Sequence, residues 1–349
     1  DYNADFSLKA EGAFSSEDSV NAEVSVVEAD VKTTDGVVLT AMISVRAYAV
    51  RRTEEECLVD AEQCYKTQES VTLPSLVAVR SAVVNVSDEA DAGDVDSVLL
   101  SDAQAIVTSA SAGNGTVKVE GKVRVAVTYS EDEEIRIREM TIPFAEEISA
   151  DGAEEGDKVC ASVSVRTSKL VLAGVPGANI IRFEGDVAVR LNVIRCRTAD
   201  VIADMFMLTN EVELRRENRK FTYFGGMKYS SESISGTAPL EGRAPAEAVV
   251  AIPYARCYAA KAEVTEGGAL VEGVLTADII YRSENGIESV RAEVPYSVEI
   301  DGEFGADCDA VCFVESIKAK ARRGELDIEA EVGLLLCCRE CCDAEYISE

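Results

Sequence analysis

The sequence predicts an all-β chain made of tandem β-sandwich-like units of roughly 150 residues each. Three observations predict it. Val-rich runs alternate apolar and polar residues, no segment carries a capped 3.6-residue apolar period, and the chain contains an internal duplication.

The duplication is most direct in two blocks. Residues 119–144 read VEGKVRVAVTYSEDEEIRIREMTIPF and residues 271–296 read VEGVLTADIIYRSENGIESVRAEVPY, aligned without a gap at an offset of 152. Six identities carry the match: Val119, Glu120, Gly121, Tyr129, Ile135 and Pro143 with their mates. Each block predicts a strand, a polar turn and a returning strand. In the first, Val119, Val123, Val125, Val127 and Tyr129 alternate with Glu120, Lys122, Arg124 and Thr128 across the pleat. Residues 130–134 (SEDEE) and 282–286 (RSENG) supply the turns, with Asn285-Gly286 a strong hairpin signal. Pro143 and Pro295 end the returning strands or mark them as edges.

Other segments extend the repeat in both directions. Residues 157–165 (DKVCASVSV) pair with 309–317 (DAVCFVESI) at the same offset and resemble 18–26 (DSVNAEVSV). Residues 187–193 correspond to 328–334, with a more distant relative around 39–50. The chain therefore divides into the C-terminal part of a first unit (1–66), a second unit (67–210) and a third (211–349). Each unit is longer than a minimal sandwich, which predicts extra strands or an accessory sheet. Short helical turns are expected around 57–65 and 200–208, and a hairpin turn at Gly174-Val175-Pro176-Gly177.

Composition excludes several function classes. The chain has no His, which removes the commonest general base and the commonest metal ligand together. A net charge of −30 repels nucleic acid and anionic lipid, so neither is expected as a partner. No apolar run approaches the roughly 20 residues that cross a bilayer, so membrane insertion is not expected. Asp1 to Ala10 lack a basic stretch followed by an apolar one, so no signal peptide is expected. Reduced thiols follow as the default for the eleven cysteines.

The VEG block, its alternating run to Tyr, the acidic turn and the closing IPF or VPY resemble the SPOCS domain, also called domain of unknown function 3794. The family's preceding glycine-to-leucine segment and Val-rich strand are matched by Ile234-Ser235-Gly236 to Leu240 and by Val249-Val250-Ala251-Ile252. Its Asp-containing exit is matched by Val201-Ile202-Ala203-Asp204 and Leu58-Val59-Asp60-Ala61. The family occurs in endospore-forming Firmicutes. The resemblance implies a non-enzymatic structural or assembly protein of the spore coat or envelope, working in the mother-cell cytosol at the developing spore surface. It implies other coat or morphogenesis proteins as partners, with self-association a further expectation. One member binds the coat scaffold through a LysM module, and no LysM-like segment is found here. A secreted or surface-displayed β-repeat stalk or adhesin is the alternative.

Candidate chemistry centres on cysteine, and no enzyme activity, cofactor or metal is expected. Cys337-Cys338-Arg339-Glu340-Cys341-Cys342 holds one CxxC spacing, but adjacent strand residues point to opposite faces and no second knuckle pairs with it. Intermolecular crosslinking and small buried thiols both remain open for this run. At the repeat offsets Cys160 aligns with Cys312 and Cys196 with Cys337, which suggests paired thiols, Cys160 near Cys196 and Cys312 near Cys337. The acidic stretch 88–96 fails the calcium-loop register, because Ala90 and Ala92 fall where ligands belong, and is expected to be a solvated loop.

Overall fold

The computed structural model describes residues 7–9, 19–33, 37–50, 56–175, 178–208, 211–322 and 324–348. Among them are fourteen β-strands and no helix, as the alternating pattern predicts. They fall into two compact units, residues 1–57 and 58–349.

The first unit is a hairpin of β1 (Ser19–Thr33) and β2 (Val37–Val50). A β-bulge separates Val26 from Glu28. The hairpin of β7 (Lys158–Val175) and β8 (Ala178–Phe206) carries its bulge between Val165 and Thr167, the matching place when 18–26 is laid on 157–165. β1 and β2 thus repeat the last hairpin of a unit.

The second unit contains two copies of a six-stranded motif. In the first copy β4 (Ser97–Ala112), β5 (Thr116–Glu131) and β6 (Glu134–Ser149) form an antiparallel meander. It faces a second sheet ordered β3-β8-β7, with β3 spanning Tyr65–Gly93. In the second copy β10 (Ala248–Val264), β11 (Gly268–Ser283) and β12 (Gly286–Asp301) form the meander. Its opposing sheet is ordered β13-β14-β9, built from β13 (Asp307–Arg322), β14 (Glu325–Ile347) and β9 (Arg216–Pro239). β4 runs beside β7 and β3 beside β6, and the third repeat repeats this with β10/β13 and β9/β12. Each sandwich is therefore covered along both edges, which limits exposed backbone.

Period-two alternation builds both cores. Val119, Val123, Val125 and Val127 of β5 are buried in one cluster with Val187, Val189, Leu191 and Val193 of β8. In the third repeat Val271, Leu275, Ala277 and Ile279 of β11 join Ile328, Ala330, Val332 and Leu334 of β14. Burying each such Val, Leu or Ile side chain stabilises the fold by about 1.5–3 kcal/mol.

The glycine of the VEG block has a specific task. Gly121 lies opposite Phe144, and Gly273 opposite Tyr296. A Cβ on Gly121 would come 2.4 Å from the Ile106 carbonyl and 2.4 Å from the Phe144 ring. On Gly273 it would come 1.9 Å from the Tyr258 carbonyl and 2.5 Å from the Tyr296 hydroxyl. The aromatic ring lies over bare backbone and supplies the apolar cover the glycine lacks. A bulge follows in the preceding strand of each meander, between Val107 and Ser109 and between Ala259 and Lys261. Bulges sharpen local twist and bend the sheet.

The turns differ between repeats. Asp132 and Glu133 sit at φ of 50° and 63°, whereas the third repeat places Gly286 at 108°. Pro143 and Pro295 lie within β6 and β12, the outer strands of their meanders, where a missing N–H is tolerated.

Several local expectations change. Asp200–Phe206 continues β8 and pairs with β3, because Val201 and Ile202 are fully buried and β-branched, so no helical turn forms there. Residues 57–64 form a loop, in which a single residue bridges two strands: Leu58 N–H donates to the Ile347 carbonyl and Leu58 C=O accepts from Ile202 N–H, both at 2.8 Å. Asp88–Gly93 is the end of β3, so only residues 94–96 of the acidic stretch are loop. Pro176 and Gly177 of the expected hairpin turn lie outside the described residues, but Val175 pairs with Ala178 across it. The extra length of each repeat lies in long strands. β7 stops pairing at Ile194, so the rest of β8 pairs with β3 alone, and β14 beyond Arg339 pairs with β9 alone.

Replacing Gly273 by Ala forces backbone or ring to move, and overpacking of this kind costs about 1–3 kcal/mol. Gly267→Ala, where a Cβ meets nothing within 4 Å, is the control. Urea midpoints are expected to fall for Gly273→Ala and to stay within error for Gly267→Ala.

Candidate functional site

The feature with most built-in chemistry is the outer face of the β4-β5-β6 meander. Alternation turns Lys122, Arg124, Ala126 and Thr128 away from the core valines of β5. An outward face of this composition is ordinarily solvated. Here Arg124, Ala126 and Thr128 are only 2%, 2% and 3% exposed. The third repeat covers them: β10 lies over β4, β5 and β6.

Polar contacts fix that interface. The Arg256 guanidinium donates through both terminal nitrogens to the two carboxylate oxygens of Asp102. Burial works against its charge, but Asp102 outweighs this and holds the guanidinium above its usual range. Gln104 Nε2 donates to the Ala255 carbonyl at 2.9 Å. Lys122 forms an ion pair with Glu315 of β13 and lies 5.0 Å from the Tyr229 ring centre, a cation–π distance. Burial raises the Glu315 carboxyl, yet hydrogen bonds from Lys122 and Tyr229 more than offset this and hold it below the usual range. Arg124 is neutralised by Glu139 on its own sheet, while its Nε has no partner. Beside these groups Phe313, Leu335, Met227 and Cys337 of the third repeat join the apolar cluster of the second.

The expected thiol pairs are not formed. None of the eleven cysteines forms a disulfide. Cys160 lies opposite Asn192 and Cys196 opposite Pro74, four residues further along β8. At about 3.3 Å per residue this separation exceeds disulfide reach. Cys312 lies opposite Leu334 and Cys337 opposite Asp309. The two are also on opposite faces, since Cys312 packs on the third repeat's core and Cys337 on the second's.

Other neighbours take their places. Cys312 hydrogen-bonds the Tyr296 hydroxyl at 3.0 Å and neighbours Cys257, whose own thiol is pushed up by that contact and by burial. Cys338 lies directly across from Cys308, both buried. Burial, then the nearby Cys308, pushes the Cys338 thiol up to about 11. Cys342 donates to the Thr72 carbonyl at 3.1 Å and lies near Cys196, joining the two repeats. Cys341 is exposed on the opposite face, beside Thr222. The CxxC spacing of Cys338 and Cys341 therefore spans one buried and one exposed thiol. Among the described residues no group of Cys, Asp or Glu is arranged to hold a metal ion, and no helix is long and apolar enough to cross a membrane.

The repeated core, the glycine–aromatic pair and the four-strand block they organise can now be set beside known proteins. Residues 94–171 and 254–322 match the family model described as the SipL, SPOCS domain. The chain carries two SPOCS domains. Each match runs from β4 to β7 or from β10 to β13 and leaves the long strands β3, β8, β9 and β14 outside it. The SPOCS domains place the chain among spore-associated proteins. No curated protein and no solved structure matches it.

The interface and the thiols each give a test. In a double-mutant cycle on Asp102→Ala and Arg256→Ala, read by urea unfolding, the pair is expected to show about 1–2 kcal/mol of coupling. Thiolate is the alkylated form, so a thiol whose pKa is raised stays unreactive until pH climbs toward that value. Iodoacetamide mapping of folded protein at pH 8 should label Cys341 and spare Cys338, with Cys338 labelling rising tenfold per pH unit until about pH 11.

Proposed function

We propose that this protein is a non-enzymatic assembly component of the spore coat or envelope, acting through protein–protein contacts. The observation that carries the reading is the pair of SPOCS domains. What the two copies share supports it. Their common positions are those that shape a sheet: the glycine beneath an aromatic ring, the core alternation and the edge proline. Their outward positions differ, with Arg124 and Ala126 replaced by Thr276 and Asp278 at equivalent places. A shared catalytic centre would need the reverse pattern. A scaffold whose copies present different faces needs only this one.

On this reading the protein works in the mother-cell cytosol at the surface of the developing spore. Its partners are other coat and morphogenesis proteins. The acidic surface, with a net charge of −30, favours partners with basic patches and disfavours nucleic acid.

A fluorescent fusion followed as cells of the source organism enter sporulation tests this. A ring around the forespore is the expected outcome. Signal confined to vegetative cells, or displayed on the outer cell surface, would sink the coat reading and favour the stalk or adhesin.

A further inference from the structure

Along the strand ladders cysteine faces cysteine at one place. Cys308 of β13 and Cys338 of β14 are register partners, and among the described residues no other two cysteines are. Residues directly opposite on an antiparallel pair share a face, with Cα atoms about 4.5 or 5.5 Å apart by position in the ladder. Both separations lie within the roughly 4.4–6.8 Å that a disulfide spans. The two residues are 3% and 7% exposed and belong to one core cluster. A bulge in β9 at the same level, where Cys338 and Arg339 face Gly226 and Phe224, bends the sheet beside them.

The other hairpins show what packing alone requires at this level. Counting from the hairpin bulges, Val159 and Val193 of the second repeat occupy the places of Cys308 and Cys338. They are register partners too, and both are buried. In the first hairpin the same level holds Val20 opposite Ala49. An apolar pair is therefore sufficient to fill the site. Packing gives no reason for both members of one pair to become cysteine together, as they do in the third repeat.

The pair also sits where a strand end can open. Cys308 is the second residue of β13, and beyond Arg339 β14 pairs with β9 alone. The ladder joining the two strands thus ends one step from the thiols, and such ends open at far lower cost than strand centres.

We propose that Cys308 and Cys338 form an intramolecular disulfide when the folded chain meets a low-molecular-weight disulfide, and that the bond locks the β13–β14 hairpin. One protein thiolate attacks the small disulfide, releasing a small thiol and leaving a mixed disulfide. The second protein thiolate attacks the protein sulfur of that bond and displaces the second small thiol. The protein gives up two electrons and two protons, which leave on the two small thiols. Burial raises both protein thiols, so the dithiol persists near neutral pH until an oxidant is supplied. The strand so fixed carries Phe313 and Glu315, which contact the second repeat. Oxidation therefore stiffens the element that holds the two repeats together. The bond forms equally in a coat protein or a surface stalk, so forespore localisation does not bear on it.

To test this, folded chain is incubated with oxidised glutathione at pH 8, digested without reduction and mapped by fragment mass spectrometry. The expected product is a linked peptide pair, two hydrogens lighter, with the link on Cys308 and Cys338. The comparison protein carries Cys308→Val and Cys338→Val, copying the second repeat's own pair. Oxidation should raise the urea midpoint of the wild type and leave that of the double variant unchanged. Glutathione on exposed thiols is common to both proteins and cancels. Cys338→Ala replaces the double variant if circular dichroism shows it unfolded. A link from Cys308 to another cysteine, a link formed only in urea-unfolded chain, or no link at all would overturn the disulfide. A midpoint that does not rise with the link in place would overturn the lock.

Discussion

The architecture of both repeats depends on one crowded spot in the middle of each meander. Gly121 and Gly273 leave bare backbone where the neighbouring strand's carbonyl and an aromatic ring converge. That vacancy lets the ring lie flat over the strand. The bulge one step along the neighbouring strand adds twist at the same level. A flat three-stranded meander would leave its edges open. A curved one brings β4 alongside β7 and β6 alongside β3, so the two sheets close around a shared core. The identity of the VEG motif therefore lives on the link between sequence and curvature.

Closing the sandwich consumes one face of each sheet. The opposite faces decide how repeats relate to each other. Between the second and third repeats the answer is a mixed interface of apolar side chains rimmed by the Arg256–Asp102 and Lys122–Glu315 pairs. Partly buried ion pairs of this kind fix register more than they add stability, since desolvation offsets much of their attraction. They fit the task of holding two similar domains in one relative position. The backbone of Leu58, bonded to both β8 and β14, acts in the same sense.

Much of this was legible in the sequence, and the parts that were not have definite physical causes. The all-β class, the hairpins and the repeat followed from alternation and from an ungapped match. The thiol partners did not, because identity at an offset of 152 pairs Cys160 with Cys312, whereas the strand starts and the bulges align β7 with β13 at an offset of 149 and put Cys160 level with Asp309. A slip by an odd number of residues turns a strand residue to the other face. The inter-repeat interface was equally hidden. Lys122, Arg124 and Thr128 alternate with the core valines, and nothing in a period-two pattern distinguishes polar residues facing water from polar residues facing another domain. The one visible sign was the change of character at equivalent positions, from Arg124 to Thr276 and from Lys122 to Val274. At residues 200–206 the expected helical turn is strand instead, because Val201 and Ile202 are β-branched and buried.

The long pairing of β3 with β8 has a consequence in time. β3 is the first strand of its repeat and β8 the last, with Tyr65 joined to Phe206 and Gly93 to Asn179. Such distant pairing makes folding slow, because the loop must close before any contact rewards it. During synthesis β3 leaves the ribosome on the order of ten seconds before all of β8 follows, at ~5–20 residues per second. For that interval its Val-rich face has no strand of its own to meet. A nascent chain of this design spends its most vulnerable moments as an unpaired edge, among other chains in the same condition. Early encounters between neighbouring ribosomes could exchange β8 strands as readily as complete a sandwich, so the rate of translation becomes part of what determines whether the finished molecule is a single chain or a swapped pair.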